Sequence, residues 1–553
     1  MKSVYRNELK NYTNILLFST VCSVLHIFFA NYSGIFKYLS SQQNQLFNSF
    51  FDIIISTIII SVFLSFCFLI NFRFTKYLVL IANFIGLIYS YFVAHFGITI
   101  NQHIVISALF YSESNDILSS FDYWIFIYCI PPIVALYLII NFFQKKLNIY
   151  PLLLSNIKSL KNYFKLFVVR FSFLLTTALF LILFINTNAY IMSYKLKTIL
   201  EQMMPTYLIV QAKEIILTQK SLTHQELKGY DEYKIKFKQQ SQQPLLVVIV
   251  VGESLRSDRL SANGYHKNTT PNISKIANLF LFKNVLSCAT TTSPSLLCMM
   301  TDENQDQFLK KFSDSTFEKK YSIGKIFSDL GFYVTVLSNA NKDSGIYTYK
   351  NFHSPNKIIS ASELRKKHLS KTNDYGDLIM LEEIETKINQ NSLYILGTRG
   401  SHREYYSNYP RSFAKFTPDL GHSAIEINNS YDNTVVYFDN FFDQLIKKLS
   451  NNNAVIFYVS DHGESLGENN VYLHGAPVSE APKEQRLVPM IVWMSDKFIS
   501  QNKKRFYQLK KNNLLNRNDK LAVKHDHFFH SILGCLNFES RKIENSLNLC
   551  ANF

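Results

Sequence analysis

Long apolar runs crowd the first third of the chain, and short ones recur through the rest. Five runs, approximately residues 14–35, 51–70, 77–98, 123–143 and 166–185, reach the ~20 residues that a helix needs to cross a hydrocarbon core. The fourth holds Pro131 and Pro132, tolerable in a spanning helix because neighbouring helices satisfy the freed backbone groups. The first is too long for a signal peptide, and no small-residue cleavage site followed by soluble sequence accompanies it. This pattern predicts an α-helical membrane domain of five transmembrane helices over residues 1–187. Residues 188–243 are mixed, and the apolar spacing within 192–216 fits one or two amphipathic helices that bridge along the membrane surface. From Pro244 the period changes. Runs of strand length at 245–251, 333–337, 393–396, 454–459 and 488–493 alternate with helix-like segments, which predicts an α/β domain over 244–553 with a mostly parallel sheet covered on both faces.

Basic residues at the ends of the long runs orient them. Lys2, Arg6 and Lys10 precede the first; Arg73 and Lys76 separate the second from the third; Lys145, Lys146, Lys158, Lys161 and Lys165 separate the fourth from the fifth. The alternate loops hold Lys37 in one and the acids Glu113, Asp116 and Asp122 in the other. An odd number of spans then places the N-terminus in the cytoplasm and everything after the fifth run outside, where chemistry proceeds without cytosolic ATP. Composition narrows the picture further. With 48% apolar and 18% charged residues the chain is not disordered, and 17 Gly and 13 Pro in 553 residues exclude collagen-like sequence. The net charge of +16 would suggest nucleic acid for a soluble protein. No zinc-finger spacing, RNP motif or helical arginine stripe accompanies it, and basic residues flank apolar runs, so the expected partner is the lipid bilayer and not nucleic acid.

In a parallel α/β sheet, ligands sit beyond the carboxyl ends of the strands. Gly252-Glu253-Ser254 follows the first predicted strand and Asp461-His462-Gly463-Glu464-Ser465 the fourth. Glu253, Asp461 and His462 can supply two oxygens and a nitrogen to a cation such as Zn²⁺, leaving a fourth position open. Each motif alone reads equally as a helix cap or a turn. The segment Cys288-Ala-Thr-Thr-Thr-Ser-Pro-Ser-Leu-Leu-Cys298 concentrates hydroxyls. A metal-bound hydroxyl loses its proton near neutral pH and becomes a nucleophile, whereas the same turn without metal is a helix N-terminal cap. Composition leaves both open.

Longer motifs carry a resemblance. Val250-Val251-Gly252-Glu253-Ser254-Leu255-Arg256, Asn263-Gly264-Tyr265, Thr270-Pro271-Asn272, the Cys288 to Cys298 loop, Ser460 to Asn469, Tyr472-Leu-His474-Gly475 and Ala481-Pro-Lys-Glu-Gln485 with Val488-Pro489 resemble the phosphoethanolamine transferases of Gram-negative envelopes. That family belongs to the alkaline phosphatase and sulfatase superfamily and includes lipid A modifiers that confer polymyxin resistance. The resemblance covers nearly the whole chain, and implies a multi-pass protein of the bacterial inner membrane with a periplasmic, sulfatase-like catalytic domain, expected to act as a monomer. It assigns Thr292 as nucleophile and places Thr292, Glu253, Asp461 and His462 around zinc. His474 resembles a family histidine that serves the substrate or a second metal, and His402 its companion; both are candidate catalytic and substrate-binding residues. The stretch Gly400 to Pro410 is spaced like the branch that modifies lipopolysaccharide core sugar. Asn341 is the candidate headgroup contact, in a loop where this chain keeps Asn341 and Ser344 but moves the family lysine to Lys342.

The implied reaction is a two-step transfer. Thr292 attacks the phosphorus of phosphatidylethanolamine and expels diacylglycerol, and an acceptor on lipopolysaccharide or another envelope glycan then takes the phosphoethanolamine, with His402 or His474 moving the proton. An oxidising compartment permits a disulfide. Cys288 with Cys298 is the expected pair, holding the Thr292 loop, while Cys535 with Cys550 is suggested by number and compartment alone. His525, Asp526, His527 and His530 match the family's closing helix and are not read as metal ligands. Two other readings share features of this sequence: a glycerophosphate transferase of the lipoteichoic acid synthase type, with the same plan and a different donor headgroup, and a non-enzymatic membrane interaction protein. A true sulfatase is disfavoured, because no Cys-x-Pro-x-Arg sequence occurs.

Overall fold

The N-terminal helices invert the polarity of a water-soluble core. In the computed structural model, which describes residues 13–26, 61, 64–65, 67–68, 72–96, 124–147, 234–238, 243–302, 322–339, 354–372, 376–420, 423–476, 478 and 481–552, the chain divides into two units, one ending at Lys213 and the other continuing from Glu214. In the first unit, α1 (Thr13–His26), α2 (Phe72–Phe96) and α3 (Trp124–Lys146) surround a seam of Phe18, Cys22, Leu64, Phe68, Val79, Leu136 and Ile140. Small polar side chains are buried beside it and donate to their own helices, as where Ser19 Oγ donates to the Ile15 carbonyl at 2.8 Å and Asn83 Nδ2 to that of Val79 at 2.8 Å. Large apolar side chains point outward instead: Tyr77, Ile81 and Phe84 on α2, and Phe126, Ile130, Val134 and Leu138 on α3. Apolar outside and small polar inside is the arrangement that lipid favours.

Pro131 and Pro132 fall inside α3 without ending it. Among the described residues, one helix, Phe126–Lys146, is long and apolar enough to cross a membrane, and Thr13–His26 and Phe74–Ile88 are shorter apolar helices. The fifth apolar run, most of the second, the end of the first and the amphipathic stretch 192–216 lie outside the described residues.

The second unit is built on a seven-stranded sheet. Its strands are β1 (Leu246–Gly252), β2 (Leu279–Leu286), β3 (Tyr333–Ser338), β4 (Lys357–Ile359), β5 (Ser392–Gly397), β6 (Ala454–Ser460) and β7 (Leu487–Met494), in the spatial order β2-β7-β6-β1-β5-β3-β4. β6, β1, β5, β3 and β4 are mutually parallel, and β7 runs antiparallel to both β6 and β2. Every residue of β1 is buried, because alternate side chains feed two cores. Val247, Ile249 and Val251 pack in the layer that holds Phe528, Phe529 and Ile532 of α7 (Asp526–Cys535). Leu246, Val248 and Val250 pack in the layer that holds Tyr431, Phe438 and Phe442 of α5 (Ala424–Leu449).

Two strands of this sheet were not predicted. β4 has three residues, too few for a periodic signal. β2 is interrupted by Lys283 and Asn284, for a reason that lies on its partner. Pro489 of β7 has no N–H to donate, the register shifts between Val488 and Met490, and β2 takes up the extra length at Asn284, whose φ is 54°. β2 is also the sheet edge, and α6 (Lys503–Arg517) covers it: Asn516 Oδ1 accepts from the Lys283 N–H at 2.8 Å and Asn513 Nδ2 donates to the Leu281 carbonyl at 2.8 Å.

A disulfide joins Cys535, the last residue of α7, to Cys550, 15 residues on. Replacing either cysteine by Ser should destabilise the C-terminal unit by about 3 kcal/mol, from the chain entropy that a loop of this length restores to the unfolded state. Chemical denaturation checks this, and an unchanged midpoint would show that the bridge is thermodynamically idle.

Candidate active site

The three central parallel strands deliver their carboxyl ends to one place. In register, Val251 lies opposite both Gly397 of β5 and Val459 of β6, and Gly252 lies opposite Ser460. Glu253, the segment from Thr398 to His402 and the pair Asp461-His462 therefore leave the sheet side by side. Backbone bonds continue past the strands: Asp461 N–H donates to the Gly252 carbonyl at 3.0 Å, and Ser401 N–H to that of Glu253 at 2.9 Å. The chain turns sharply after Glu253, with Ser254 at φ 58°. This conformation is held from both sides, since Ser254 N–H donates to Asp461 Oδ1 at 3.1 Å and the Tyr431 hydroxyl donates to the Ser254 carbonyl at 2.7 Å. Gly400 adopts φ 53°, and a Cβ there would stand 2.7 Å from the Glu253 carbonyl oxygen. Only glycine lets the β5 loop close so tightly over Glu253.

Glu253, Asp461 and His462 bring one ligand atom each within 4.8 Å of one another. His462 Nε2 stands 3.4 Å from Glu253 Oε1 and 3.4 Å from Asp461 Oδ2. Thr292 completes the cluster, its Oγ1 donating to Glu253 Oε2 at 3.1 Å and lying 3.5 Å from His462 Nε2. Such spacings are close to the edge of a tetrahedron with arms of roughly 2 Å, the bond length of zinc to oxygen and nitrogen. Two further observations fit a cation. Asp461 Oδ2 is buried and accepts no hydrogen bond among the described residues, an arrangement that is costly for a carboxylate without a positive partner. His462 Nδ1 donates to the Gly463 carbonyl at 2.9 Å, which leaves the Nε2 lone pair facing the cluster, and burial depresses its pKa to about 4 so that the ring is neutral.

Thr292 is the first residue of α4 (Thr292–Met299). Thr291 occupies the N-cap with extended backbone but makes no side-chain capping bond, and the Thr292 hydroxyl is turned to Glu253. The Thr292 hydroxyl therefore serves the cluster rather than the cap, and the helix N-terminus favours negative charge on Thr292 Oγ1. His525 ties the loop to the segment that carries Asp461 and His462. Its Nδ1 accepts from the Cys288 N–H at 3.3 Å while its Nε2 donates to the Ser460 carbonyl at 2.9 Å.

The expected Cys288–Cys298 bridge is not made. Both residues are buried thiols in one small cluster with Ala289. Cys288 Sγ faces the Pro294 carbonyl at 4.0 Å, and Cys298 Sγ, on α4, faces Asp526 Oδ1 at 3.8 Å. The two sulfurs are hydrogen-bond partners of each other as thiols, and the Thr292 loop is held through His525 and through hydrogen bonds to the segment after His474. The bridge that forms is Cys535–Cys550.

His474 follows a two-residue antiparallel ribbon in which Ser465 pairs with Leu473 and Leu466 with Tyr472. Its Nδ1 shares a hydrogen bond with Glu464 Oε2 at 3.1 Å, and its ring lies 4.2 Å from that of His462 and 5.8 Å from that of His402. The two candidate proton carriers therefore border the Thr292 cluster. Burial raises the Glu464 carboxyl to about 7, against the opposing influence of His462 and His402. Asn341, Lys342 and Ser344 lie outside the described residues. Nearby, Asn339 Nδ2 donates to Asp377 Oδ1 at 3.0 Å, and Asp377 also accepts from the Arg399 N–H at 2.8 Å and the Gly400 N–H at 3.0 Å, fixing the base of the His402 loop. Asp377 and Tyr431 were not singled out from the sequence, because they act on atoms remote in sequence and leave no local signal. Glu464 and His525 were quoted there only as members of longer motifs, without the contacts seen here.

Comparison with known proteins places these features in context. The Sulfatase family profile matches residues 246–538. The Kdo(2)-lipid A phosphoethanolamine 7''-transferase of Escherichia coli (strain K12) is 34% identical over 310 residues, covering 53% of this chain and 52% of that protein. The chain thus spans about half the length of the curated relatives it matches. The integral membrane protein lipooligosaccharide phosphoethanolamine transferase A from Neisseria meningitidis matches over 96% of this chain and 97% of its own, with a TM-score of 0.68 and 24% identity, a likeness of fold. The soluble domain of the same protein is 30% identical, with a TM-score of 0.50, covering 57% of this chain and 95% of the domain.

Proposed function

The chain belongs to the sulfatase family, and from that premise we propose that it transfers phosphoethanolamine from phosphatidylethanolamine to lipopolysaccharide, on lipid A or a core sugar, through a phospho-threonine at Thr292. The observation that carries this reading is the approach of Thr292 Oγ1 to Glu253 Oε2 and His462 Nε2, at 3.1 and 3.5 Å, inside a ligand cluster at the strand ends. Relatives named as phosphoethanolamine transferases support the choice of headgroup.

Glu253, Thr292, Asp461 and His462 would hold one zinc ion, which supplies the Lewis acidity that lowers the proton affinity of the Thr292 hydroxyl and balances charge on the phosphoryl oxygens. In the first step Thr292 Oγ1 forms a bond to phosphorus, the bond from phosphorus to the glycerol oxygen breaks, and diacylglycerol leaves. The Thr292 proton departs along its hydrogen bond to Glu253, and His474, oriented by Glu464, or His402 supplies a proton to the leaving oxygen. In the second step the acceptor oxygen forms a bond to phosphorus as the bond from phosphorus to Thr292 Oγ1 breaks, the acceptor proton passes to the histidine that gave one up in the first step, and the proton held by Glu253 returns to Thr292. The apolar helices of the N-terminal unit keep the enzyme in the inner membrane, where the donor never leaves the bilayer, and the catalytic unit works on the periplasmic side.

Reconstituted protein should release diacylglycerol from vesicles containing phosphatidylethanolamine and transfer the headgroup to added lipopolysaccharide. It should leave vesicles containing only phosphatidylglycerol nearly untouched. Equal or faster turnover of phosphatidylglycerol would overturn the donor assignment in favour of a glycerophosphate transferase.

A further inference from the structure

We propose that Gln485 is a positioning residue that holds His474 against the Thr292 loop, an inference that rests on the role given to His474 above. Gln485 is fully buried, and its amide reaches both sides of His474. Oε1 accepts from the Ala476 N–H at 3.1 Å, while Nε2 donates to the Leu473 carbonyl at 3.0 Å and to Ser465 Oγ at 3.1 Å. One side chain thus grips the residue before His474, the residue two beyond it, and the neighbour of Glu464, whose carboxylate orients the ring.

The segment needs such a grip. Leu473 has φ 65° and Gly475 φ 91°, so His474 stands between two residues in the left-handed region, a conformation that costs about 1–2 kcal/mol for leucine and persists only where surrounding bonds over-determine it. Gln485 itself is anchored. Its carbonyl accepts from the Gly463 N–H at 3.0 Å, and the Glu484 carbonyl accepts from the Glu464 N–H at 2.9 Å. A Cβ at Gly463 would come within 2.1 Å of the Glu484 oxygen, so the approach requires glycine. On its other side the gripped segment meets the nucleophile loop: Gly475 N–H donates to the Thr290 carbonyl at 3.0 Å and Thr290 Oγ1 to that of Ala476 at 2.7 Å. Gln485 therefore sets His474 in register with Thr292 without touching substrate.

Gln485→Met keeps the volume and removes every hydrogen bond; Gln485→Ala also removes the packing. Both should lower kcat for diacylglycerol release by about 100-fold, the cost of misplacing a catalytic group by an ångström, with KM for phosphatidylethanolamine within about twofold and bound zinc unchanged. In a His474→Ala background, Gln485→Met should cause almost no additional loss, because the two residues act as one. An independent readout needs no turnover: carbethoxylation of His474 by diethylpyrocarbonate, mapped by peptide mass spectrometry, should be severalfold faster in Gln485→Met than in the parent protein. If Gln485→Ala does not fold, Gln485→Met decides alone. Unchanged His474 reactivity, kcat close to the parent value, or a full additive loss on top of His474→Ala would overturn the proposal. A parent protein inactive on phosphatidylethanolamine, with the reactivity difference intact, would remove the functional reading and leave the clamp standing.

Discussion

Thr292→Ala is expected to lower phosphoethanolamine transfer by roughly a thousandfold or more, the scale on which loss of a covalent nucleophile is felt. The change removes one hydroxyl from a partly buried site and leaves α4 intact, because the helix start rests on no side-chain capping bond that the substitution could disturb. Folding and the remaining ligands Glu253, Asp461 and His462 should survive, so bound zinc falls by less than activity. Thr292→Ser keeps a hydroxyl on the same helix position and should retain part of the rate. Transfer assays on both variants, alongside zinc analysis and a thermal melt, check this. Normal transfer by Thr292→Ala would remove the covalent scheme.

Asp461→Asn should lose metal and activity together. Asp461 divides its labour between its two oxygens: Oδ1 accepts from the N–H groups of Ser254 and His462 at 3.1 and 2.7 Å, whereas Oδ2 is buried and accepts no hydrogen bond among the described residues. An asparagine retains the first function and replaces the second with a neutral group. Zinc affinity should fall by more than about 100-fold, beyond what loss of an outer-shell partner causes, at nearly unchanged stability. Treating the parent protein with a chelator should abolish transfer in the same way, and zinc should restore it only where the Oδ2 carboxylate is present. Full zinc occupancy in Asp461→Asn, or full activity after exhaustive chelation, would contradict the assigned site.

The strands around the site were legible because a fully buried strand is a short apolar run bounded by polar turns. Sequence expectations fell within a residue or so of β1, β3, β5, β6 and β7. Strand direction was not legible, since an all-buried run reads the same either way, and nothing in Val488 to Trp493 announces that β7 opposes β6. β2 was hidden by a cause on another strand, the missing N–H of Pro489. Glu253, Asp461 and His462 could be found as the residues that follow strands, but composition could not separate a nucleophilic Thr292 from a helix cap; that choice came from resemblance, and the uncapped Thr291 bears on it only in three dimensions. Cys288 and Cys298 do meet, but as neighbouring hydrogen-bonded thiols rather than as a bridge. Gln485 and His525 were invisible as clamps, since they act on backbone atoms brought to them by the fold.

The covalent step is open to direct measurement by rapid quenching followed by intact-mass analysis of protein given phosphatidylethanolamine and no acceptor. If Thr292 carries the group, the protein gains the mass of one phosphoethanolamine, peptide mapping places it on Thr292, and about one equivalent of diacylglycerol appears before turnover stalls. A protein mass that never changes, with diacylglycerol released only once lipopolysaccharide is added, would contradict the two-step account.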